Sequence, residues 1–161
     1  MVEAYASQVK VSAASGRIFY LYGPYESPQR FVPAIIGGLL SNEPTPCSSC
    51  TQVRDFMHVV DVADAFVTLL DSPLQGVINI GSGKGIMLKE IIEIITNTLG
   101  RAELIQFGAL AARPNDPPQL IAKTHRLNNE LNWHPRYGLK EGLHQVIDWW
   151  KLKKENASGL T

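Results

Sequence analysis

Apolar and polar positions alternate between two periods along this chain. Val2, Tyr5, Ala6, Val9 and Ala13 recur at helical spacing until Gly16 interrupts them, which predicts a helix over residues 2–13. Arg17-Ile-Phe-Tyr-Leu-Tyr22 then reads as a buried strand ended by Gly23-Pro24. A polar loop through Arg30 leads to a helix over about 32–40, and a Pro- and Ser-rich crossing leads to an extended piece near 51–54. Asp61 stands where it would cap the N–H groups of an apolar helix over 62–70. Val77-Ile-Asn-Ile80 predicts a short strand, and Gly81-Ser-Gly-Lys-Gly85 turns it into a helix over 88–99. Leu104-Ile-Gln-Phe107 predicts another strand, 112–118 is irregular, and 126–131 predicts a short helix. Leu143, Val146, Ile147 and Trp150 share one face of a last helix over 139–153. Strands alternating with helices predict an α/β fold with parallel pairing, in one unit over 1–155 followed by a frayed tail at 156–161, with no internal repeat.

Composition narrows the function classes. With 45% hydrophobic and 19% charged residues in 161, the chain has enough apolar material to bury a core, which excludes disorder. Lys plus Arg equals Asp plus Glu, for a formal net charge of +0, so no global field draws it to nucleic acid or acidic lipid. Anion binding has to rest on individually placed arginines. No apolar run approaches the roughly 20 residues that span a bilayer, and Met1-Val-Glu-Ala-Tyr-Ala-Ser-Gln8 lacks a signal-peptide pattern, so a cytoplasmic location is expected. Cys47-Ser-Ser-Cys50 supplies only half a tetrahedral zinc site and follows Pro44-Thr-Pro46 instead of opening a helix. The expectation is two loop thiols in a reducing compartment, with a zinc shared across a dimer or an adventitious disulfide as the alternatives.

Two motif tests fail. Gly81-Ser-Gly-Lys-Gly85 has neither Walker A nor dinucleotide-loop spacing, because Lys84 is followed by Gly85 and the third glycine comes too soon. A Tyr-x-x-x-Lys pair, in which the lysine lowers the phenol pKa for proton exchange, is absent: Val9 follows Tyr5 at four residues, and Lys140 follows Tyr137 at three.

Arg17-Ile-Phe-Tyr-Leu-Tyr-Gly-Pro24 and Gln52-Val-Arg-Asp-Phe-Met-His-Val-Val-Asp-Val-Ala-Asp64 together resemble the extended short-chain dehydrogenase/reductase family, the NAD-dependent nucleotide-sugar epimerases and 4,6-dehydratases. The resemblance covers nearly all of 1–161 and concerns the C-terminal half of that family. It implies strands of a partial Rossmann-like parallel sheet plus the small C-terminal substrate-binding subdomain. It also implies that Arg54 binds the nucleotide diphosphate, for which a planar guanidinium is suited. The residues alone leave open a structural pair of Arg54 with Asp55 or Asp61. Arg113-Pro-Asn-Asp116 looks like the family's Arg-Pro-Gly-Asp segment, with Asn115 in place of the usual glycine. By resemblance Arg113 reaches the diphosphate or ribose from the opposite wall, and Asp116 belongs to the same substrate-binding set.

Tyr20 stands where many members carry a substrate-contacting Asn, which puts the sugar preference in doubt. Phe19 aligns with a residue that lies against the nicotinamide, although an aromatic in a buried strand is core packing by default. The resemblance makes Asp61 and Asp64 helix-start and surface groups, His58 a packed or hydrogen-bonded histidine instead of a base, and Trp133, Trp149 and Trp150 anchors of the C-terminal helices. The functional expectation is the nucleotide-diphosphate-sugar binding half of an NAD-dependent epimerase/dehydratase-like protein. Lacking the dinucleotide loop and the Tyr/Lys pair, it is expected to be inactive alone and not to bind NAD tightly. Met1 is expected to fall just downstream of the catalytic pair. Strands near 18–21 and 77–80 would then have bare apolar edges, predicting self-association or pairing with a complementary N-terminal half. The alternatives are a non-catalytic dimerisation or regulatory module, or a fragment of a longer gene.

Overall fold

The computed structural model describes residues 2–158; the expected start at Met1 and the last part of the expected tail, 159–161, lie outside the described residues. Helix α1 (Val2–Val9) is shorter than its apolar spacing suggests and gives way to strand β1 (Ala14–Ile18). The run expected as one strand over 17–22 is divided at Phe19, and β2 (Tyr20–Tyr22) has a different partner. After α2 (Phe31–Ser41) come β3 (Thr45–Pro46), β4 (Val53–Arg54) and β5 (Phe56–His58). Helix α3 (Val59–Leu70) is followed by β6 (Gly76–Ile80), the short β7 (Ile86–Met87) and α4 (Leu88–Leu99). A 3₁₀ turn over Ala102–Leu104 opens the expected strand, of which only β8 (Ile105–Gln106) is extended. The segment expected as irregular ends on β9 (Gln119–Leu120). A π-helical turn (Arg126–Glu130) and α5 (Leu139–Ser158) complete the chain. The tail expected to fray from 156 is therefore helical through 158.

Parallel pairing, as expected for alternating strands and helices, joins β1 to β6, β2 to β5, β3 to β8 and β4 to β9, while β7 runs antiparallel to β4. The change of partner at Phe19 has a physical reason: its N–H still bonds Ile80 C=O, whereas the next N–H, of Tyr20, bonds Asp55 C=O. Strand alternation then divides the core. Phe56 of β5 joins a cluster with α2, α4 and α5, and its neighbour Met57 points into a second cluster under β6 and α3. Ile78 and Ile80 are fully buried in that second cluster, so one face of β6 is covered, whereas Ile18 at the end of β1 remains 42% exposed. A left-handed Asn42 closes α2, with Asn42 N–H on Leu39 C=O and Glu43 N–H on Gly38 C=O. Among the described residues no helix is long and apolar enough to cross a membrane.

Cys47 and Cys50 are free and lie on the loop after β3, as expected, with both side chains buried inside the first cluster. The Cys47 thiol donates to Gln106 C=O at 3.6 Å. Burial, reinforced by the neighbouring Cys50, pushes its pKa up to about 12. The thiolate is the reacting species, so Cys47 in the folded protein is expected to react slowly with an aromatic disulfide reagent at pH 7–8 and rapidly once unfolded. A fast stoichiometric reaction in native buffer would contradict this burial. Among the described residues no group of three or more His, Cys, Asp or Glu side chains is placed to hold a metal ion.

Candidate functional site

Arg54 lies on β4, the central strand of the three-stranded sheet β7-β4-β9, and is only 3% exposed. Its guanidinium is held on every side: Nε donates to Tyr20 Oη at 3.2 Å, Nη1 to Val53 C=O at 2.8 Å, and Nη2 to Asp116 Oδ1 at 2.6 Å. The guanidinium carbon sits 5.7 Å from the centroid of the Tyr20 ring, which packs at 5.5 Å on Phe56. Tyr20, expected at the substrate, is thereby brought against Arg54. The carboxylate on Arg54 is that of Asp116, not of Asp55 or Asp61. Arg113 belongs to the same turn, closed by Asp116 N–H on Arg113 C=O at 3.3 Å, with Asn115 in the left-handed region that glycine usually occupies. The Arg113 side chain is exposed. Phe19 is half-buried at the junction of β1 and β2.

Asp55, adjacent to Arg54, has no exposure and was not singled out from the sequence as an organiser. Its Oδ1 accepts from Ser82 N–H at 2.8 Å and Ser82 Oγ–H at 2.6 Å, and its Oδ2 accepts from Gly83 N–H at 2.9 Å and Ala122 N–H at 3.1 Å. One carboxylate therefore clamps the β4–β5 junction, the Gly81–Gly85 turn and the chain after β9. The glycines serve this wrap. A Cβ on Gly81 would meet Ala122 Cβ at 2.6 Å, and Gly83 has a φ of +73. The backbone N–H groups of Ser82 and Gly83 already point at Asp55, so this turn does not fit a dinucleotide pyrophosphate. An Asp beside an Arg with a Gly-Ser-Gly turn downstream was the only trace of this arrangement in the sequence.

Asp61 also differs from expectation. The cap of α3 is His58, whose Nδ1 accepts from Val60 N–H at 3.4 Å. Asp61 is buried and accepts from the backbone N–H groups of Arg136 at 3.1 Å and Tyr137 at 3.0 Å. Asp64 takes Trp133 Nε1–H at 2.7 Å and the Arg136 guanidinium at 3.0 Å. These two acids hold the segment before α5 onto α3, and Trp133 is an anchor as expected.

His58 is packed, 4.4 Å from the Tyr137 ring centroid and 5.4 Å from that of Tyr22. Its Nε2 is buried with no hydrogen-bond partner among the described residues, and burial lowers its pKa against an opposing pull from Asp61. The folded state therefore binds fewer protons than the unfolded chain, whose histidine titrates near about 6.5. The His58 contribution to stability is complete above that pH and is lost as pH falls below it. Unfolding free energies at pH 7.5 and 5.0 are expected to fall less for His58→Gln than for the native chain; parallel losses would place an ordinary histidine there. The Tyr22 phenol, bonded to Leu139 C=O at 3.4 Å, is pushed up by burial and by Asp61 and Glu141. It remains protonated near neutral pH.

The family model described as the NAD dependent epimerase/dehydratase family matches residues 1–81. CDP-abequose synthase of Salmonella typhimurium is 30% identical over 152 residues, spanning 89% of this chain and 50% of that protein. GDP-L-fucose synthase 1 of Arabidopsis thaliana is 32% identical over 162 residues, spanning 92% of this chain and 48% of that protein. Among solved structures, MoeE5 in complex with UDP-glucuronic acid and NAD superposes with a TM-score of 0.80 at 30% identity, over 89% of this chain and 48% of that one. The dTDP-glucose 4,6-dehydratase of Bacillus anthracis in complex with NAD reaches 0.86 at 24% identity, over 94% and 48%, a likeness of fold. The chain spans about half the length of the curated relatives it matches.

Proposed function

Because this chain belongs to the NAD-dependent epimerase/dehydratase family, we propose that it is a nucleotide-diphosphate-sugar binding half, with Arg54 as its principal phosphate ligand. The observation that carries this reading is a guanidinium 3% exposed whose single charged partner among the described residues, Asp116, comes from an exposed loop. A cation buried in sheet and aromatic packing keeps its strength, because little water is present to screen it. Tyr20 Oη holds Nε and fixes the plane of the fork, leaving Nη2 as the nitrogen a ligand oxygen takes. Arg113, on the turn beside it, supplies a second cation.

NAD supplies hydride chemistry in the intact family. This chain's own residues position a substrate and move no proton: it has no Tyr-x-x-x-Lys pair, and Asp55 occupies its glycine turn. We therefore assign it no turnover and no tight NAD binding by itself, in a cytoplasmic setting that suits two free thiols. The exposed apolar positions Val2, Tyr5 and Val9 of α1, together with Ile18 of β1, favour self-association or a complementary N-terminal half. They also favour the second reading, a non-catalytic dimerisation module.

Isothermal titration with uridine, thymidine, cytidine and guanosine diphosphates and their sugars tests the binding half. Heat that saturates with the free diphosphates is expected, and silence across the panel would leave only the interaction module. Stable hydride transfer to NAD by the purified chain would refute the lack of turnover.

A further inference from the structure

Asp116 differs from the other groups around Arg54. Val53 C=O belongs to β4 and Tyr20 to β2, so both are fixed by pairing, whereas Asp116 ends a loop whose residues 107–115 are all exposed. Its side chain is 27% exposed against 3% for Arg54. Just beyond it the backbone is tethered, since Pro118 C=O accepts Val53 N–H at 2.9 Å. The carboxylate thus sits on a short arm hinged beside β4, its only ion-pair partner among the described residues being the buried cation.

We propose that Asp116 is an internal counter-ion of Arg54, a built-in competitor that an incoming phosphate group must displace, and that it thereby sets a charge threshold for ligands. This rests on the reading that Arg54 binds the diphosphate. A guanidinium buried without an acceptor is costly, so the ligand-free fold needs an anion there. Asp116 supplies it at a high effective concentration, being tethered to the same chain. A ligand gains only the difference between its own contacts and those it replaces. A singly charged group therefore does little better than the carboxylate. A diphosphate, with more charge and several oxygens to offer Nη2, takes the site and returns Asp116 to solvent. Asp116 in this role discriminates between anions as well as stabilising the empty site.

Calorimetry on the native chain and on Asp116→Asn, with a nucleoside diphosphate and with inorganic phosphate, tests the proposal. The variant is expected to bind the diphosphate at least tenfold more tightly and to gain measurable affinity for inorganic phosphate. Unchanged or weaker diphosphate binding overturns the competitor role. Should the variant fail to fold, the carbon-13 resonance of the Asp116 carboxyl in the native chain gives the same answer. It is expected to move as the diphosphate saturates; heat of binding with no movement overturns the proposal while leaving the diphosphate reading intact. If neither protein releases heat with any diphosphate, the reading itself fails and the proposal with it.

Discussion

Arg54→Ala is expected to abolish most of the affinity for nucleoside diphosphates. Truncating one member of a buried, hydrogen-bonded charge pair costs about 2–5 kcal/mol, and at about 1.4 kcal/mol per tenfold this is a loss of roughly 30-fold or more. Arg54→Lys keeps the charge but loses the planar fork. With Nε absent, nothing bonds Tyr20 Oη as it is bonded now, and a lysine ammonium cannot serve Val53 C=O and a ligand oxygen from two fixed nitrogens. Its affinity is expected between the alanine variant and the native chain. The fold should survive the alanine change, because the carboxylate left behind is part-exposed and can hydrate, and β4 stays paired with β7 on one side and β9 on the other. Circular dichroism verifies the fold, and calorimetry reads the loss. Native-like affinity in Arg54→Ala would move the anion site elsewhere and remove the basis of the proposed function.

Asp55→Asn is the second large effect, and here stability responds. The carboxylate accepts from four donors, two on each oxygen. An amide offers one oxygen only, so its NH₂ would face two donors in a site with no exposure. Each buried donor left unsatisfied costs about 1–3 kcal/mol, giving roughly 2–6 kcal/mol in all. That is a large share of the roughly 5–15 kcal/mol that holds a typical domain together. At about 2–4 °C per kcal/mol for a chain of this size, the melting temperature is expected to drop by roughly 5–20 °C. Ser82→Ala removes the Oγ–H bond to Asp55 and the acceptor of the exposed Lys84 N–H, which can turn to water, and leaves the Ser82 and Gly83 N–H groups on the carboxylate, so about 1 kcal/mol is expected from it. Thermal unfolding of both variants makes the comparison. Equal, small losses would mean that Asp55 does not hold these segments together.

Local periodicity carried much of the secondary structure. The helix expected over 88–99 is α4, residue for residue, since its apolar spacing and the glycine at 100 are both local signals. The helix expected over 32–40 extends by one residue at each end, and the strand at 77–80 by one. Local signals misled where a backbone group had a distant alternative. Phe19 interrupts a run that reads as one strand because its neighbours pair with β6 on one side and β5 on the other. An acid near a helix start reads as a cap, yet Asp61 serves backbone N–H groups 75 and 76 residues away, and the cap passes to His58.

The candidate site was legible in part. Arg54 could be chosen from charge, shape and the motif around it, and Tyr20 from the same family comparison; the fold places the two in contact. The partner on Arg54 was not legible: Asp55 and Asp61 were the near carboxylates in sequence, and the acid in place is 62 residues downstream. The choice follows from strand geometry. Arg54 and Asp55 are successive residues of an extended segment and point to opposite faces, so the nearest acid in sequence is turned away.

The amino-acid sequence by itself determined the α/β alternation, the family, the neutral charge balance and the lack of a Tyr-x-x-x-Lys pair, because composition, period and motif are properties of neighbouring residues. Only the tertiary structure decided that Asp55 holds the glycine turn and that Asp116 sits on Arg54. Each of these depends on which distant segments strand pairing brings together, with separations of 27, 28 and 67 residues for Asp55 and 62 for Asp116. Hydrophobic spacing records which face is buried and leaves unrecorded which polar groups will meet there.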